Sequence, residues 1–480
     1  FLPCHPASMN TALIAKIRKK LGAASVPAAP PPGYASDKWF AQATPDAVVF
    51  PSTTQETAFV LSEAYRAGVP VTPRGAGFGY VGGCTPVCGG IVLALDRMNR
   101  ILEVDDRDFV AVVEPGVVTG DLQIAARAQN LFYPPDPASL KDCSLGGNIA
   151  TNAGGPRCLK YGVTRHYVLG LTVVLPDGTI VRCGGRTHKN KTGFDLVGLF
   201  TGSEGLLGVV TQATLRLLPL PPARAVLSAG FPSIEVAAEA IQAVFSAGFL
   251  PAALEVADAF TLDAARAHNP KAKLPPGKAQ VIIEVDGQPA SVRGEAAALE
   301  RLLKQSGASG VRKATTPEAY EALWDLRRVY SQSLKATGLK KLNEDVVVPR
   351  GRLVDLMKFA SRLQKKSGFP IACFGHAGDG NIHVNIMVAD PENPAIQKKS
   401  RDALDELFTQ VLAWQGAITG EHGIGLAKKP WWRQALPPET RALHQTLKNA
   451  LDPKGLLNPG KFLQEEPPQA SPSHSDLSRV

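Results

Sequence analysis

Between Pro73 and Gly83 the chain carries five glycines in eleven residues, directly after the strand-like run Val69-Pro70-Val71-Thr72. Glycine lets backbone N–H groups approach an anion and tolerates positive φ, so such a loop after a strand can cradle a pyrophosphate. It is neither a Walker loop nor a dinucleotide fingerprint, because a GxGxxG leading into a long helix is missing. A second passage, Ser144 to Gly155, has small residues over twelve positions. A flat ring system can lie against it, and its asparagines and Thr151 can hydrogen-bond a heteroaromatic edge. A third, Gly202 to Gly208, precedes another strand-like run. Each alone could be a glycine-rich surface loop; the three together point to a flavin site.

At 480 residues the chain is too long for one compact core, so two or three domains are expected. Hydrophobic content of 44% and charged content of 20% describe an ordinary globular protein. The net charge of +9 is scattered apart from runs such as Lys16 to Lys20, and no nucleic-acid module accompanies it. The charge is read as a solvated surface that helps collect small anions, with no nucleic-acid partner. Seven cysteines without CxxC spacing argue for reduced thiols in a cytosolic-type compartment. Cys84 and Cys88 read as small residues in a tight loop rather than a redox pair. No apolar run reaches about 18 residues, so no transmembrane helix is expected. A cytoplasmic location, with room for peripheral membrane attachment, follows. Phe1 to Met9 has no signal-peptide pattern, Met9 is expected to be the native start, and the tail from about Glu465 is expected to be disordered.

The pattern predicts an N-terminal helix and proline-rich connector over 1–35. A glycine-rich domain with short strands follows over 36–220, in which Thr53 to Ala67 is a helix closed by a capping box to Glu56. Pro219 to Pro222 reads as a linker. Alternating helices and strands over 221–405 read as a second, α+β domain. Residues 406–464 form a C-terminal segment, and 465–480 the tail.

The second domain carries Gly375-His376-Ala377-Gly378-Asp379-Gly380-Asn381-Ile382-His383-Val384-Asn385, and Glu421-His422 follows about forty residues later. His376, His383 and Glu421 can supply three ligands to a divalent metal and leave a position open. His422 remains free to move a proton. Asn385 lies two residues beyond His383 on one strand, so both side chains face one way. Arg327 and Arg328 lie on a predicted helix, where a solvated face is the plain reading.

Pro73-Arg74-Gly75, Pro134-Pro135-Asp136-Pro137, Gly146-Gly147-Asn148, Asn152-Ala153-Gly154-Gly155, Lys160-Tyr161-Gly162, Gly202-Ser203-Glu204-Gly205 and Leu207-Gly208 occur in an order that resembles the FAD-binding domain of the vanillyl-alcohol oxidase/p-cresol methylhydroxylase superfamily. Gly375 to Asn385, Gly420 to Gly425 and Asn458-Pro459-Gly460-Lys461 resemble the branch of FAD-dependent D-lactate dehydrogenases, D-2-hydroxyglutarate dehydrogenases and the FAD subunit of glycolate oxidase. The resemblance implies an α+β fold: a two-lobed FAD-binding domain, an α+β substrate (cap) domain and a C-terminal helical segment. It implies an FAD whose pyrophosphate lies on Arg74, Gly75, Ala76, Gly77, Phe78 and Gly79. The ring would lie near Pro135, Asp136, Ser139, Ser144, Gly147, Asn148, Thr151 and Asn152. Gly202, Glu204, Gly208, Val209 and Asn458 would also approach it. No histidine occurs between Arg74 and Gly83, so FAD is expected to be non-covalent.

In the metal-using members of that branch, residues matching His376, His383 and Glu421 hold a divalent cation, here zinc, iron or manganese. The residue matching His422 is the base. The resemblance also gives Arg327, Asn385 and Lys341 to the substrate. Ser331 stands where some 2-hydroxyglutarate enzymes have threonine, which disfavours the longer diacid. The implied function is a D-2-hydroxyacid dehydrogenase acting on a short, anionic substrate, D-lactate first. Electrons would pass to a quinone, cytochrome, electron-transferring flavoprotein or iron–sulfur subunit rather than NAD, and a homodimer is expected. The FAD subunit of a glycolate oxidase complex and a D-2-hydroxyglutarate dehydrogenase are close alternatives. A flavin-free metallohydrolase and a non-catalytic flavoprotein subunit are the alternatives of other classes.

Overall fold

The computed structural model describes residues 10–463. The expected native start at Met9 and the expected disordered tail lie outside the described residues. The first lobe opens with the helix Thr11–Leu21 and a three-stranded parallel sheet of β1 (Ala47–Val49), β2 (Val71–Arg74) and β3 (Ile91–Ala94), in order β1-β3-β2. Thr53 is the cap of the helix Thr54–Ala67, its Oγ1 accepting from the Glu56 N–H, but the capping box is not closed: the Glu56 carboxylate accepts from the Ser52 N–H, one residue before the cap. A five-stranded antiparallel sheet follows, in order β4-β5-β9-β7-β8. Its strands are β4 (Ile101–Asp105), β5 (Val110–Val113), β7 (Val168–Val174), β8 (Ile180–Gly184) and β9 (Val209–Arg216). The short β6 (Leu131–Phe132) pairs with β10 (Leu218–Pro219), so the expected linker begins as a strand tied to the first lobe.

The second lobe is a seven-stranded antiparallel sheet in order β14-β11-β13-β12-β16-β17-β15. The strands are β11 (Ala223–Phe231), β12 (Ala253–Ala257), β13 (Ala279–Gly287), β14 (Ser309–Ala314), β15 (Lys340–Val347), β16 (Ile371–His376) and β17 (Asn381–Val388). Side chains alternate between the two faces of a strand. One face, with Leu227, Ile283, Val256, Val384 and Val346, packs against the helices Ile234–Ser246, Pro289–Gln305, Leu353–Ser367 and Pro394–Ala413 in one large apolar core. The register puts Glu284, Glu255, His376, His383 and Asp345 on the opposite face, one each on β13, β12, β16, β17 and β15. This row of polar groups across adjacent strands is the floor of the site.

Three local expectations are corrected. Part of the second glycine passage is a short helix, Leu145–Thr151, because Ser144 caps it by accepting the Gly147 N–H and Asn152 ends it in the left-handed region at φ 51°. The strand β14 was not anticipated, since its sequence SGVRKA has no apolar alternation. The thiol reading fails at Cys88, which is disulfide-bonded, whereas Cys84, Cys143, Cys158, Cys183 and Cys373 are free.

The chain finally returns to the first lobe. After the helix Pro438–Leu451, Leu457 bridges Val71 of β2 and the Asn458 N–H donates to the Val71 carbonyl. The lobes also join through buried charge. Arg157 contacts Asp136 at 3.0 Å and Glu284 at 3.3 Å, and Arg224 meets the other oxygen of Glu284 at 2.6 Å.

Candidate active site

β16 and β17 form a hairpin whose turn, Ala377 to Gly380, brings His376 and His383 together. Gly380 is required there: its φ is +84° and a Cβ would lie 2.1 Å from the Val348 carbonyl oxygen. Glu421 arrives from the loop after the helix Pro394–Ala413. One donor atom from each of His376, His383 and Glu421 lies within 4.8 Å of the others.

The chemistry of these donors fits a divalent cation. Glu255 Oε1 lies 2.5 Å from His376 Nδ1 and Glu421 lies 3.7 Å from Nε2. Burial works against a charged ring, but the two carboxylates raise His376 well above the ordinary imidazole range, so a cation at Nε2 would take the place of a proton there while Glu255 keeps the one on Nδ1. Burial lowers His383 to about 3, so its ring is neutral. Burial opposes ionisation of Glu421, but its contacts with His376 and the fields of His383 and His422 outweigh burial and hold it at about 2. A neutral imidazole, an oriented imidazole and a carboxylate are a ligand set for zinc, iron or manganese.

His422 stacks on His383 at 5.5 Å between centroids and lies 5.3 Å from the Tyr80 ring. Its Nδ1 faces Asp345 Oδ1 at 3.2 Å, off the direction of an aligned hydrogen bond, which turns Nε2 toward Glu421 at 3.9 Å. Asp345 Oδ2 accepts from the N–H groups of Gly420, Glu421 and His422 at 2.8, 2.7 and 3.0 Å. Buried Lys428 pairs with Oδ1. Burial works against the Asp345 charge, yet His422 and Lys428 hold its carboxyl well below the ordinary range. One buried carboxylate therefore holds both the turn and the ring of the candidate base.

Arg327, on the helix Pro317–Arg328, gives its Nε to Glu255 Oε2 at 2.5 Å and lies over the Phe374 ring at 4.9 Å. Among the described residues its two terminal nitrogens have no hydrogen-bond acceptor, a fork free for a carboxylate. Arg328 instead pairs with Glu321 and Asp325 at the surface. Lys341 donates to Ser331 Oγ at 2.7 Å, and burial, with Lys335 and Arg327 nearby, lowers it to about 8. Asn385 is fully buried: its amide nitrogen donates to the carbonyls of Ala372 and His383, and Oδ1 is the atom left without a partner.

On the flavin side, the N–H groups of Gly77, Phe78, Gly79 and Tyr80 make no hydrogen bond to the described residues. The loop is drawn close to the next passage: the Ala76 N–H donates to Ser144 Oγ, and a Cβ on Gly75 would lie 2.5 Å from that oxygen. A run of free backbone donors on a loop too tight for side chains fits a pyrophosphate. The ring-side passage reaches the metal ligands, since a Cβ on Gly154 would come within 3.3 Å of Glu421 Oε2.

The residues expected at the cofactor also make contacts within the protein. The Arg74 guanidinium donates to the carbonyls of Gly33 and Ser36, which ties down the connector beside the loop. Glu204 accepts the Ile424 and Gly425 N–H groups at 2.8 Å each, which anchors the loop after His422. Asp136 is held by Arg157. The Asn148 amide donates to Thr119, Thr151 Oγ1 donates to the Gly147 carbonyl, and Asn152 Oδ1 accepts from the Arg165 N–H. Val209 packs in the core with Val60, Leu61 and Ile91 and pairs with Val174 of β7, and a Cβ on Gly208 would lie 2.5 Å from a Val173 methyl. Pro135 is buried, its carbonyl accepting from Gln123, and the Ser139 carbonyl accepts from Asp142 and Cys143. Gly202 donates to the Ile149 carbonyl, and the Asn458 amide bridges the carbonyls of Gly83 and Glu204 with Oδ1 unpartnered.

Sequence reasoning missed Glu255, Asp345, Tyr80 and Lys428. A signal existed for the first two: Glu255 interrupts the apolar run Ala253-Leu254-Glu255-Val256-Ala257, and Asp345 opens Val346-Val347-Val348. A charge inside such a run is rarely left without a partner.

Residues 45–184 match the FAD binding domain and residues 220–462 match the C-terminal domain of FAD linked oxidases. The chain is 40% identical over 429 residues to the glycolate oxidase subunit GlcD of Bacillus subtilis (strain 168), covering 88% of this chain and 90% of the relative. It is 33% identical over 436 residues to the D-lactate dehydrogenase of Anaerostipes hadrus, with the same two coverages, 88% and 90%. Among solved structures, 4-ethylphenol oxidase from Gulosibacter chungangensis aligns with a TM-score of 0.75 at 21% identity over 95% of this chain and 97% of that one. A p-cresol methylhydroxylase aligns with a TM-score of 0.73 at 20% identity over the same shares, 95% and 97%, and these two show the fold. The chain belongs to the FAD-linked oxidase family, an FAD-dependent oxidoreductase built on the vanillyl-alcohol oxidase/p-cresol methylhydroxylase fold.

Proposed function

We propose that the protein oxidises a short D-2-hydroxyacid, D-lactate or a close analogue, to the 2-oxoacid, and passes the electrons to an acceptor other than NAD. The observation that carries this reading is one juxtaposition. The His376, His383 and Glu421 set lies against Gly154 of the flavin-side passage, with His422 stacked beside it and the Arg327 fork free.

The chain's own groups divide the task. Arg327, oriented by Glu255, binds the substrate carboxylate. His422 Nε2 takes the hydroxyl proton, and Asp345 behind Nδ1 stabilises the imidazolium that results. Arg157, with Asp136 and Glu284, joins the two lobes at the edge of the floor of the site. Bound FAD supplies the two-electron acceptor for the α-hydrogen, and a divalent cation on His376, His383 and Glu421 supplies the Lewis acidity that lowers the hydroxyl pKa. FAD is held without a covalent bond, since no histidine occurs in the loop Arg74 to Gly83.

Glycolate is the second substrate to test, because a relative with 40% identity is named a glycolate oxidase subunit. That name also supports an electron-accepting partner subunit. The decisive experiment mixes the protein anaerobically with D-lactate, glycolate, D-2-hydroxyglutarate and their L forms while the flavin spectrum is followed. Bleaching by a D-2-hydroxyacid or glycolate, with turnover restored by an artificial acceptor but not NAD, is expected. A flavin that none of them bleaches refutes the reading.

A further inference from the structure

Glu255 is 1% exposed, and its two oxygens go to two different groups of the site. Oε1 meets His376 Nδ1 and Oε2 meets Arg327 Nε, each at 2.5 Å. A buried carboxylate with no other partner has no reason to occupy an otherwise apolar strand unless both contacts are kept. The floor of the sheet makes the geometry rigid, because Glu255 pairs directly with His376 across β12 and β16.

We propose that Glu255 is a positioning residue that couples the cation site to the carboxylate fork of Arg327. Through Oε1 it fixes which nitrogen of His376 carries the proton, so that Nε2 is presented as a ligand. Through Oε2 it takes Nε of Arg327, so that the two terminal nitrogens point outward as a fork. Substrate binding needs both presentations, and one carboxylate supplies them. The proposal rests on the 2-hydroxyacid reading for its purpose, but its two consequences are equilibrium properties that need no turnover.

The test uses the full FAD-loaded protein and Glu255→Gln. Zinc affinity is measured by competition with a chromogenic chelator, and oxalate affinity by perturbation of the flavin spectrum in metal-free protein. The glutamine has one acceptor oxygen and cannot serve both partners. Zinc binding is expected to weaken by about 10- to 100-fold. Oxalate binding to the metal-free protein, which a role confined to the metal would not move, is expected to weaken by roughly tenfold, the scale of one charged hydrogen bond. Wild-type affinity for either ligand overturns the proposal. Should Glu255→Gln fail to fold, Glu255→Asp keeps the charge but is one methylene too short to span both groups. It should lose at least one of the two affinities, and retention of both overturns the proposal. If the hydroxyacid panel fails on wild-type protein while both affinities shift, the functional reading falls and the coupling stands.

Discussion

Asp345 Oδ1 lies 3.2 Å from His422 Nδ1, while Oδ2 of the same carboxylate accepts the backbone N–H of His422 at 3.0 Å. Ring and backbone of the candidate base are held by one buried group. His422→Ala should lower kcat by about 10²- to 10⁴-fold, the usual worth of a positioned proton acceptor, with FAD still bound. Asp345→Asn should also lower kcat and, by leaving Lys428 without its counter-charge, lower the melting temperature. Near-normal kcat in His422→Ala would remove it from the chemistry.

Lys341 titrates at about 8. Below that pH its charged amine can attract an anionic substrate, so KM for a hydroxyacid should rise as pH increases through about 8. Lys341→Met should have a higher KM without that limb. For stability the sign is opposite. The folded-state pKa lies below the ordinary lysine value, so the unfolded chain binds more protons between about 8 and 10.5 and wild-type stability rises with pH across that window. Lys341→Met should therefore be more stable than wild type at pH 7, with the excess shrinking toward pH 10 in thermal melts.

Gly77 has φ +73°, and a Cβ there would lie 2.0 Å from Arg74 Nη2. Gly77→Ala must displace either the guanidinium that holds the connector or the run of free N–H groups beside it. The variant should purify with less FAD, read as the ratio of flavin to protein absorbance. Full FAD occupancy would show that this loop does not carry the pyrophosphate.

Arg157 has a side chain 15% exposed and joins Asp136 of the first lobe to Glu284 of the second, which is 1% exposed. Removing one partner of a buried ion pair leaves an uncompensated charge and costs about 3–5 kcal/mol. Arg157→Met should destabilise the protein by that order in urea denaturation. A change under about 0.5 kcal/mol, typical of a surface site, would show that the lobes do not depend on it.

Dialysis against a strong chelator should abolish turnover while the flavin spectrum remains, and zinc, manganese or ferrous iron should restore it. His383→Ala should not be restored. Unchanged activity after complete metal removal, verified by elemental analysis, would end the metal role of His376, His383 and Glu421.

Local rules were enough for much of the chain. The Thr53 cap on the Glu56 N–H, the glycine turn between His376 and His383, and the loop donors of Gly77 to Tyr80 follow from residue chemistry within a few positions. So did the candidate ligands, because a Gly-Asp-Gly-Asn turn between two histidines and a Glu-His pair are unusual as sequence alone. What the sequence could not decide is which groups support them. Glu255 reaches His376 across 121 residues, Asp345 reaches His422 across 77, and Glu204 reaches Ile424 across 220. Nothing local distinguishes a glutamate that meets a phosphate from one that accepts two distant N–H groups. Strand register decided the rest: pairing of β12 with β16 and of β15 with β17 put two isolated acids on the face that carries both histidines, and only the folded sheet contains that register.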